Sequence, residues 1–302
     1  MTSRALHPDA SLGLWHAPDG WVHRRYDRPG SGRGRLLFQT GRADTIEKYL
    51  ETLDHFSDRG WAVTAFDWRG QGGSGRLGDG DTGHVDDFGT LVADLGAFWR
   101  GWRTGKGPHV IIGHSMGGYL TLAALAERAI DTEAAILVAP MLGLRSPMRL
   151  GGAVARWMAR VGDPRRPAWK RGDTPGSALQ RQRRLTHDLD RFAEQQAWRA
   201  AQPDLALGPP SWHWLAEAFA ATGRLRADPR LRNIATPTQM LLADEDRLVD
   251  TRAALAVAAK LPDAEVHRFG PESAHEILRE VDAVRDRALA AVDDFLDRRA
   301  PA

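Results

Sequence analysis

Along the 302 residues, short apolar runs alternate with stretches whose apolar positions return every three or four residues. Leu12–His16 and Trp21–Tyr26 flank the turn Ala17-Pro18-Asp19-Gly20 and predict a hairpin. Arg35–Gln39 then precedes a helical Asp44–Arg59. Trp61–Phe66 precedes a loop and a helix over Val85–Trp99, and Val110–Gly113 precedes a helix over Met116–Ile130. Ala134–Ala139 ends at Pro140. After a long interruption the pattern resumes with Thr238–Ala243, Thr251–Lys260, Glu265–Phe269 and Val281–Leu296. In the last of these, Val281, Val284, Leu289, Val292 and Leu296 gather near one face, as a core-packed helix requires. Short β-branched runs separated by helices predict an α/β fold, a mostly parallel sheet with helices on both faces.

The interruption, 141–233, breaks the alternation. From Arg145 to Arg232 it carries 17 Lys and Arg against 8 Asp and Glu, and it holds five of the eleven tryptophans. Gly- and Pro-rich joints at 162–167, 172–176 and 203–210 separate short helical stretches. This reads as a helical cap inserted into a sheet domain, so that 1–140 and 234–302 form one core.

Composition narrows the class. A formal charge of only +2 gives no polyelectrolyte argument for a nucleic-acid partner. The absence of cysteine removes thiol catalysis and Cys-ligated metals, and fits a reducing compartment. The first residues lack the apolar core of a signal peptide, and no apolar run approaches the ~20 residues that span a bilayer. The expectation is a cytoplasmic protein whose membrane contact, if any, is peripheral, at the inner membrane face. The basic cap bears on that contact: about 1 kcal/mol per well-placed basic residue would favour an anionic lipid surface. Pairing of those arginines with cap carboxylates is the competing expectation.

The chemistry centres on Gly113-His114-Ser115-Met116-Gly117-Gly118, where an apolar run meets a helix. This G-x-S-x-G element in a strand–turn–helix setting predicts a tight turn that raises Ser115 at the carboxyl end of a strand, above a helix N-terminus that favours developing negative charge. A serine hydroxyl needs a base, and the base a third group that orients it. Asp246 lies in the acidic loop after Thr238–Ala243, with Asp244, Glu245 and Asp250 as neighbouring rivals. His275 follows the run ending at Phe269 in a small-residue loop and is the candidate base; His114 reads as packing behind the site. The backbone N–H of Met116 is one expected oxyanion donor, and the loop Thr40-Gly41-Arg42-Ala43-Asp44 supplies the other. The glycine cluster at 70–75 invites a phosphate-loop reading, but no Lys-Ser/Thr closes it, and a tight structural loop is the stronger expectation.

Together these segments resemble a known family. Asp67-Trp68-Arg69-Gly70-Gln71-Gly72-Gly73-Ser74 resembles the D-x-R-G-x-G-x-S loop of α/β-hydrolases, and Gly113–Gly118 their nucleophile elbow. Gly41-Arg42-Ala43-Asp44-Thr45-Ile46-Glu47-Lys48-Tyr49 is similar to the G-R-x-E-x-x-x-K-Y stretch of bacterial lysophospholipase L2-like proteins, with Asp44 in place of the usual Glu. His84–Phe88, Ala139–Gly143, Leu205–Gly208 and Ala274–Leu278 fit the same branch, whose neighbours are the monoacylglycerol lipases. The resemblance implies an esterase acting on a monoacyl lipid without metal or organic cofactor. It makes Ser115, Asp246 and His275 the triad by position, and it puts Arg42 where the second oxyanion donor lies. In such an enzyme the cap supplies the acyl tunnel, with Trp198, Trp212, Trp214, Leu215 and Phe219 as expected liners. A monoacylglycerol lipase, a general carboxylesterase and an inactive lipid-binding relative are the alternatives. Epoxide hydrolases and dehalogenases of this fold need Asp at the elbow, which Ser115 disfavours.

Overall fold

A computed structural model describes residues 4–146, 151–170 and 177–302. The strands are β1 (Ser11–His16), β2 (Val22–Arg28), β3 (Gly34–Gln39), β4 (Trp61–Phe66), β5 (His109–His114), β6 (Ala134–Val138), β7 (Thr238–Ala243) and β8 (Ala264–Phe269). They form one sheet in the order β1-β2-β4-β3-β5-β6-β7-β8. β1 and β2 are the predicted hairpin, and β2 runs antiparallel to β4; every other pairing is parallel. The α/β expectation therefore holds.

Continuous apolar runs form the central strands because both faces of the sheet are covered. Ile111 of β5 and Leu37 of β3 join a cluster with α2 (Phe88–Trp102) and α3 (Met116–Ala126). Val110, Ile112, Leu36 and Phe38 point the other way, towards α1 (Leu50–Asp58) and α9 (Asp282–Arg299). Every residue of α3 is buried, as its uniformly apolar sequence requires.

Helix ends depart from the apolar pattern for local reasons. Asp44 and Thr45 stay outside the first helix because the Asp44 carboxylate turns back to the Gly41 N–H at 3.0 Å; a 3-10 turn at Ile46–Tyr49 leads into α1. Asp87 accepts from the Gly89 N–H and starts α2 three residues after Val85 and before Phe88's turn closes. Arg128, at φ +56°, ends α3 early, with Ala129 N–H bonded back to Ala124 O at 2.8 Å. Ile130 nevertheless returns to the core, which is why the apolar pattern outlasts the helix.

Between β6 and β7 lie α4 (Gly151–Arg160), α5 (Ser177–Leu185), α6 (Leu189–Ala201), α7 (Trp212–Ala227), and finally α8 (Thr251–Ala258) follows β7. Ser211 caps α7 and also meets His84 Nδ1 at 2.8 Å, joining this helical segment to the loop before α2. Arg191 of α6 makes a two-pronged pair with Glu51 of α1 at 2.7 and 2.8 Å. Residues 147–150 and 171–176, within the predicted cap and including the expected joint at 172–176, lie outside the described residues.

Candidate active site

Ser115 sits between β5 and α3 with φ +52° and ψ −114°, a conformation sparsely populated for any side-chain-bearing residue. Its surroundings hold it there. The Ser115 N–H donates to Val138 O at 2.9 Å, and Ser115 O accepts from Met141 and Tyr119 at 2.9 and 3.1 Å. The turn also needs the glycine at 117, where a Cβ would fall 2.5 Å from Gln39 O and 2.6 Å from Thr40 O, backbone that has no room to yield.

Ser115 Oγ lies 2.9 Å from His275 Nε2, and His275 Nδ1 lies 2.6 Å from Asp246 Oδ2. The second Asp246 oxygen accepts from the Leu248 and Val249 N–H groups at 2.7 and 3.0 Å, which fixes the carboxylate's plane. Thus the structure brings together the three residues singled out in the sequence. Of the rivals, Asp244 pairs outward with Arg268, and Asp250 caps α8. Burial opposes a charged imidazole at His275, but Asp246, by charge and hydrogen bond, overrides it, with Glu276 and Asp44 adding in the same sense; the ring's pKa is raised. Burial likewise opposes ionisation of Asp246, while His275 and the two N–H donors hold its pKa down. Since the base must be neutral to accept a proton, kcat/KM is expected to rise with pH through an inflection above 6.5, the ordinary histidine value. A pH–rate profile checks this, and an inflection at or below 6.5 overturns it.

The loop after β3 lies directly against the serine, since a Cβ on Gly41 would stand 3.1 Å from Ser115 Cβ. Gln71 shapes this loop. Its Nε2 donates to Gly41 O at 2.8 Å, and its Oε1 accepts from the Ala43 N–H at 3.2 Å. Ala43 itself adopts φ +60°. With the Gly41 and Ala43 N–H groups occupied, the Arg42 N–H has no acceptor among the described residues. The same holds for the Met116 N–H at the start of α3, where no intrahelical acceptor exists. The glycine-rich segment at 70–75 is thus a brace for the loop. Asp67, three residues before it, accepts from Gly73, Ile46 and Arg24, so the turn closes on this chain's own carboxylate and not on a phosphate.

Behind the triad lies a buried ionic group that the sequence reading missed. Lys48 Nζ bridges Asp44 Oδ1 and, at 2.6 Å, Glu276 Oε1. Asp44 Oδ2 also accepts from Tyr49 OH at 3.0 Å, and Tyr49 OH lies 2.8 Å from His114 Nδ1. Arg279 Nε donates to Glu276 Oε2 at 3.3 Å. Asp44 belongs to the loop beside Ser115, whereas Glu276 follows His275, so Lys48 ties the two together. Burial disfavours charge on both acids, yet Lys48 depresses both pKa values, aided at Asp44 by His114 and at Glu276 by Arg279. Apart from Arg279, these residues lie in segments quoted for the family likeness; what the sequence lacked was any sign that the segments meet.

The expected liners are placed less uniformly. Trp214 is buried against Phe88, ring centroids 5.7 Å apart, and the Arg42 guanidinium lies 5.1 Å from its ring. Leu215 packs on the same core cluster. Phe219 faces α4, where a Cβ on Gly152 would come within 3.2 Å of it. Trp198 lines a narrow crevice with Ala43, Thr45, Lys48, Gln195, Arg199, Leu205 and Ala206, and Trp212 is half-buried at the start of α7.

Residues 30–282 match the Hydrolase_4 family, described as serine aminopeptidase, S33. The chain belongs to this family. Within it, the chain is 34% identical over 275 residues to lysophospholipase L2 of Escherichia coli K12, a match covering 85% of this chain and 78% of that protein. A probable lysophospholipase L2 of Haemophilus influenzae is 27% identical over 282 residues, covering 91% and 88% of the two chains. Among solved structures, a soluble variant of monoglyceride lipase from Saccharomyces cerevisiae, in complex with a substrate analogue, superposes with a TM-score of 0.76 at 20% identity. It covers 96% of this chain and 97% of its own, and shows a shared fold. The α/β-hydrolase architecture is thus common to the Hydrolase_4 chain and its structural neighbours. No helix among the described residues is long and apolar enough to cross a membrane.

Proposed function

We propose that the protein is a serine ester hydrolase that releases the fatty acid from a monoacyl lipid, best read as a lysophospholipid. The observation that carries this reading is the unbroken Asp246–His275–Ser115 hydrogen-bond relay beside two N–H groups that have no acceptor among the described residues. Ser115 Oγ attacks the ester carbonyl as its proton passes to His275 Nε2, and Asp246 stabilises the imidazolium. The Arg42 and Met116 N–H groups receive the tetrahedral oxyanion, each worth roughly 3–4 kcal/mol in the transition state. The glycerol-side alcohol leaves with the proton from His275. Water, deprotonated by the same ring, then opens the acyl-enzyme, and the fatty acid departs.

The family's description names an aminopeptidase, whose substrate carries a free ammonium that a carboxylate must meet. The buried acids Asp44 and Glu276 do not offer one, being committed to Lys48 and, at Glu276, also to Arg279. The 34% identity to a protein named lysophospholipase L2 favours the ester reading. Residues 141–233 serve as the cap in this account. Trp214, Leu215 and Phe219 hold α7 in place, leaving Trp198 and Trp212 as the aromatic residues for acyl contact.

The cap also carries the surface for peripheral contact with an anionic membrane. Trp157 and Trp169 are 61% and 55% exposed. Val161, whose N–H bonds to Trp157 O, is also exposed, and Arg156, Arg160 and Lys170 have no carboxylate partner among the described residues. Basic residues around exposed indole rings suit an anionic interface. Other cap arginines, such as Arg191, Arg224 and Arg230, are paired with carboxylates.

Fatty-acid release from lysophosphatidylcholine, lysophosphatidylglycerol, monoacylglycerol and a p-nitrophenyl ester tests the reading, with vesicle co-sedimentation on the same preparation. Turnover of the lysolipids above the neutral substrates, and sedimentation with anionic but not zwitterionic vesicles, are expected. Turnover of monoacylglycerol or the synthetic ester alone would identify a general esterase. Silence on all four by folded protein would remove the hydrolase reading for these lipids.

A further inference from the structure

Several buried cations of the molecule are matched to carboxylates. Lys48 has Asp44 and Glu276, Arg279 has Glu276, Arg24 has Glu47 and Asp67, and Arg191 has Glu51, Asp188 and Asp282. Arg42 has no such partner among the described residues. Its backbone lies in the loop against Ser115, and its side chain runs from there to the underside of the helical segment. Nη2 donates to Gly208 O at 2.7 Å and presses on Gly83, where a Cβ would fall 2.4 Å away. The guanidinium rests over Trp214. Nε is buried without an acceptor, and no carboxylate lies within 4.0 Å among the described residues. The acid on its own loop, Asp44, is saturated by Lys48, Tyr49 and the Gly41 N–H. Burial, with the like charge of Arg199, pushes the Arg42 pKa down to about 10.

Removing a cation from water without an anion is costly, and the cost is recovered when a ligand supplies the anion. The position selects the ligand. The Arg42 N–H is where the ester carbonyl is held, so an anion met by the same residue's side chain belongs to the substrate's leaving group. Guanidinium suits a phosphate better than a point charge does, because its planar N–H groups match two phosphate oxygens. We propose that Arg42 is a specificity-determining residue that binds the phosphodiester of a lysophospholipid headgroup between the loop beside Ser115 and the cap. The proposal rests on the esterase reading and adds to it the part of the substrate that is recognised. Arg42 thereby serves twice, by its N–H at the carbonyl and by its side chain at the phosphate.

The test compares kcat/KM for lysophosphatidylcholine and monoacylglycerol bearing the same acyl chain in wild type, Arg42→Gln and Arg42→Lys. Both variants keep the backbone N–H. The lysolipid-to-monoacylglycerol ratio is expected to fall at least tenfold in Arg42→Gln, mainly through KM, and less in Arg42→Lys. If Arg42 only anchors the cap through Gly208, both substrates lose in the same proportion and the unchanged ratio overturns the proposal. A second readout needs no lipid turnover. Glycerophosphocholine should slow fluorophosphonate labelling of Ser115 in wild type and protect Arg42→Gln at least tenfold more weakly. Labelling that glycerophosphocholine never slows overturns the phosphate site while leaving the serine hydrolase intact. A wild type that is not labelled at all overturns both. Should Arg42→Gln fail to fold, Arg42→Lys carries the comparison, because it keeps the charge but loses the planar fork.

Discussion

Ser115→Ala is expected to fold and to lose ester hydrolysis by about 10⁴- to 10⁶-fold in kcat. The size of the effect follows from the geometry. Ser115 Oγ is the atom that His275 Nε2 addresses at 2.9 Å, and without it the base has nothing to activate at the carbonyl. What survives is the rate that two N–H donors and substrate positioning can sustain by themselves. His275→Ala should cost about as much, and the double variant little more than either, because nucleophile and base act as one unit. Stability should change little, since alanine inherits the same φ of +52° and the turn is held by backbone bonds to Val138 and Met141. Steady-state kinetics on a chromogenic ester with a thermal melt decide it. Activity in Ser115→Ala within tenfold of wild type would place the nucleophile elsewhere.

The second large effect is expected at Lys48. Lys48→Met leaves Asp44 and Glu276 buried without the ammonium between them, and breaking such a group by removing one partner costs roughly 3–5 kcal/mol. In a chain of this size that lowers the melting temperature by on the order of 10 °C. Its pH dependence has a definite sign. In wild type the depressed pKa values of Asp44 and Glu276 contribute stability above the ordinary carboxylate range, and that stability is lost as the pH falls through their folded values. In the variant, burial and mutual repulsion instead raise these pKa values, so one acid regains stability by taking a proton as the pH falls. The stability gap should therefore be widest at neutral pH and narrow towards pH ~4. Turnover should fall as well, because the loop carrying the Arg42 N–H and the loop carrying His275 lose their common tie. Denaturant melts at several pH values check the first part. A gap that does not change with pH would show that Lys48 contributes packing alone.

Much of this molecule is written locally in the chain. The period-two and continuous apolar runs mark all eight strands of the sheet, because most positions buried on either face of the central strands are apolar. The elbow is equally local: Gly113, Ser115 and Gly117 declare a turn that bulkier residues could not make. Asp246 and His275 could be named since each follows a strand that ends at the same edge of the sheet. Helix ends were less legible, as at Arg128, where a left-handed residue stops α3 while the apolar pattern continues to Ile130.

Pairings between distant residues belonged to the tertiary structure alone. That Gln71 braces the loop at 41–43, that Lys48 joins Asp44 to Glu276, and that Trp214 packs on Phe88 depend on which strands and helices become neighbours. Periodicity records whether a side chain is buried, and a motif records what one turn can do. Neither records the partner, because a hydrogen bond or ion pair across the sheet leaves no spacing in the sequence. Arg42 shows the difference most sharply. Its place in the loop could be read from the chain, but that its guanidinium reaches Gly208 O and the Trp214 ring with no carboxylate in range among the described residues is a property of the folded molecule.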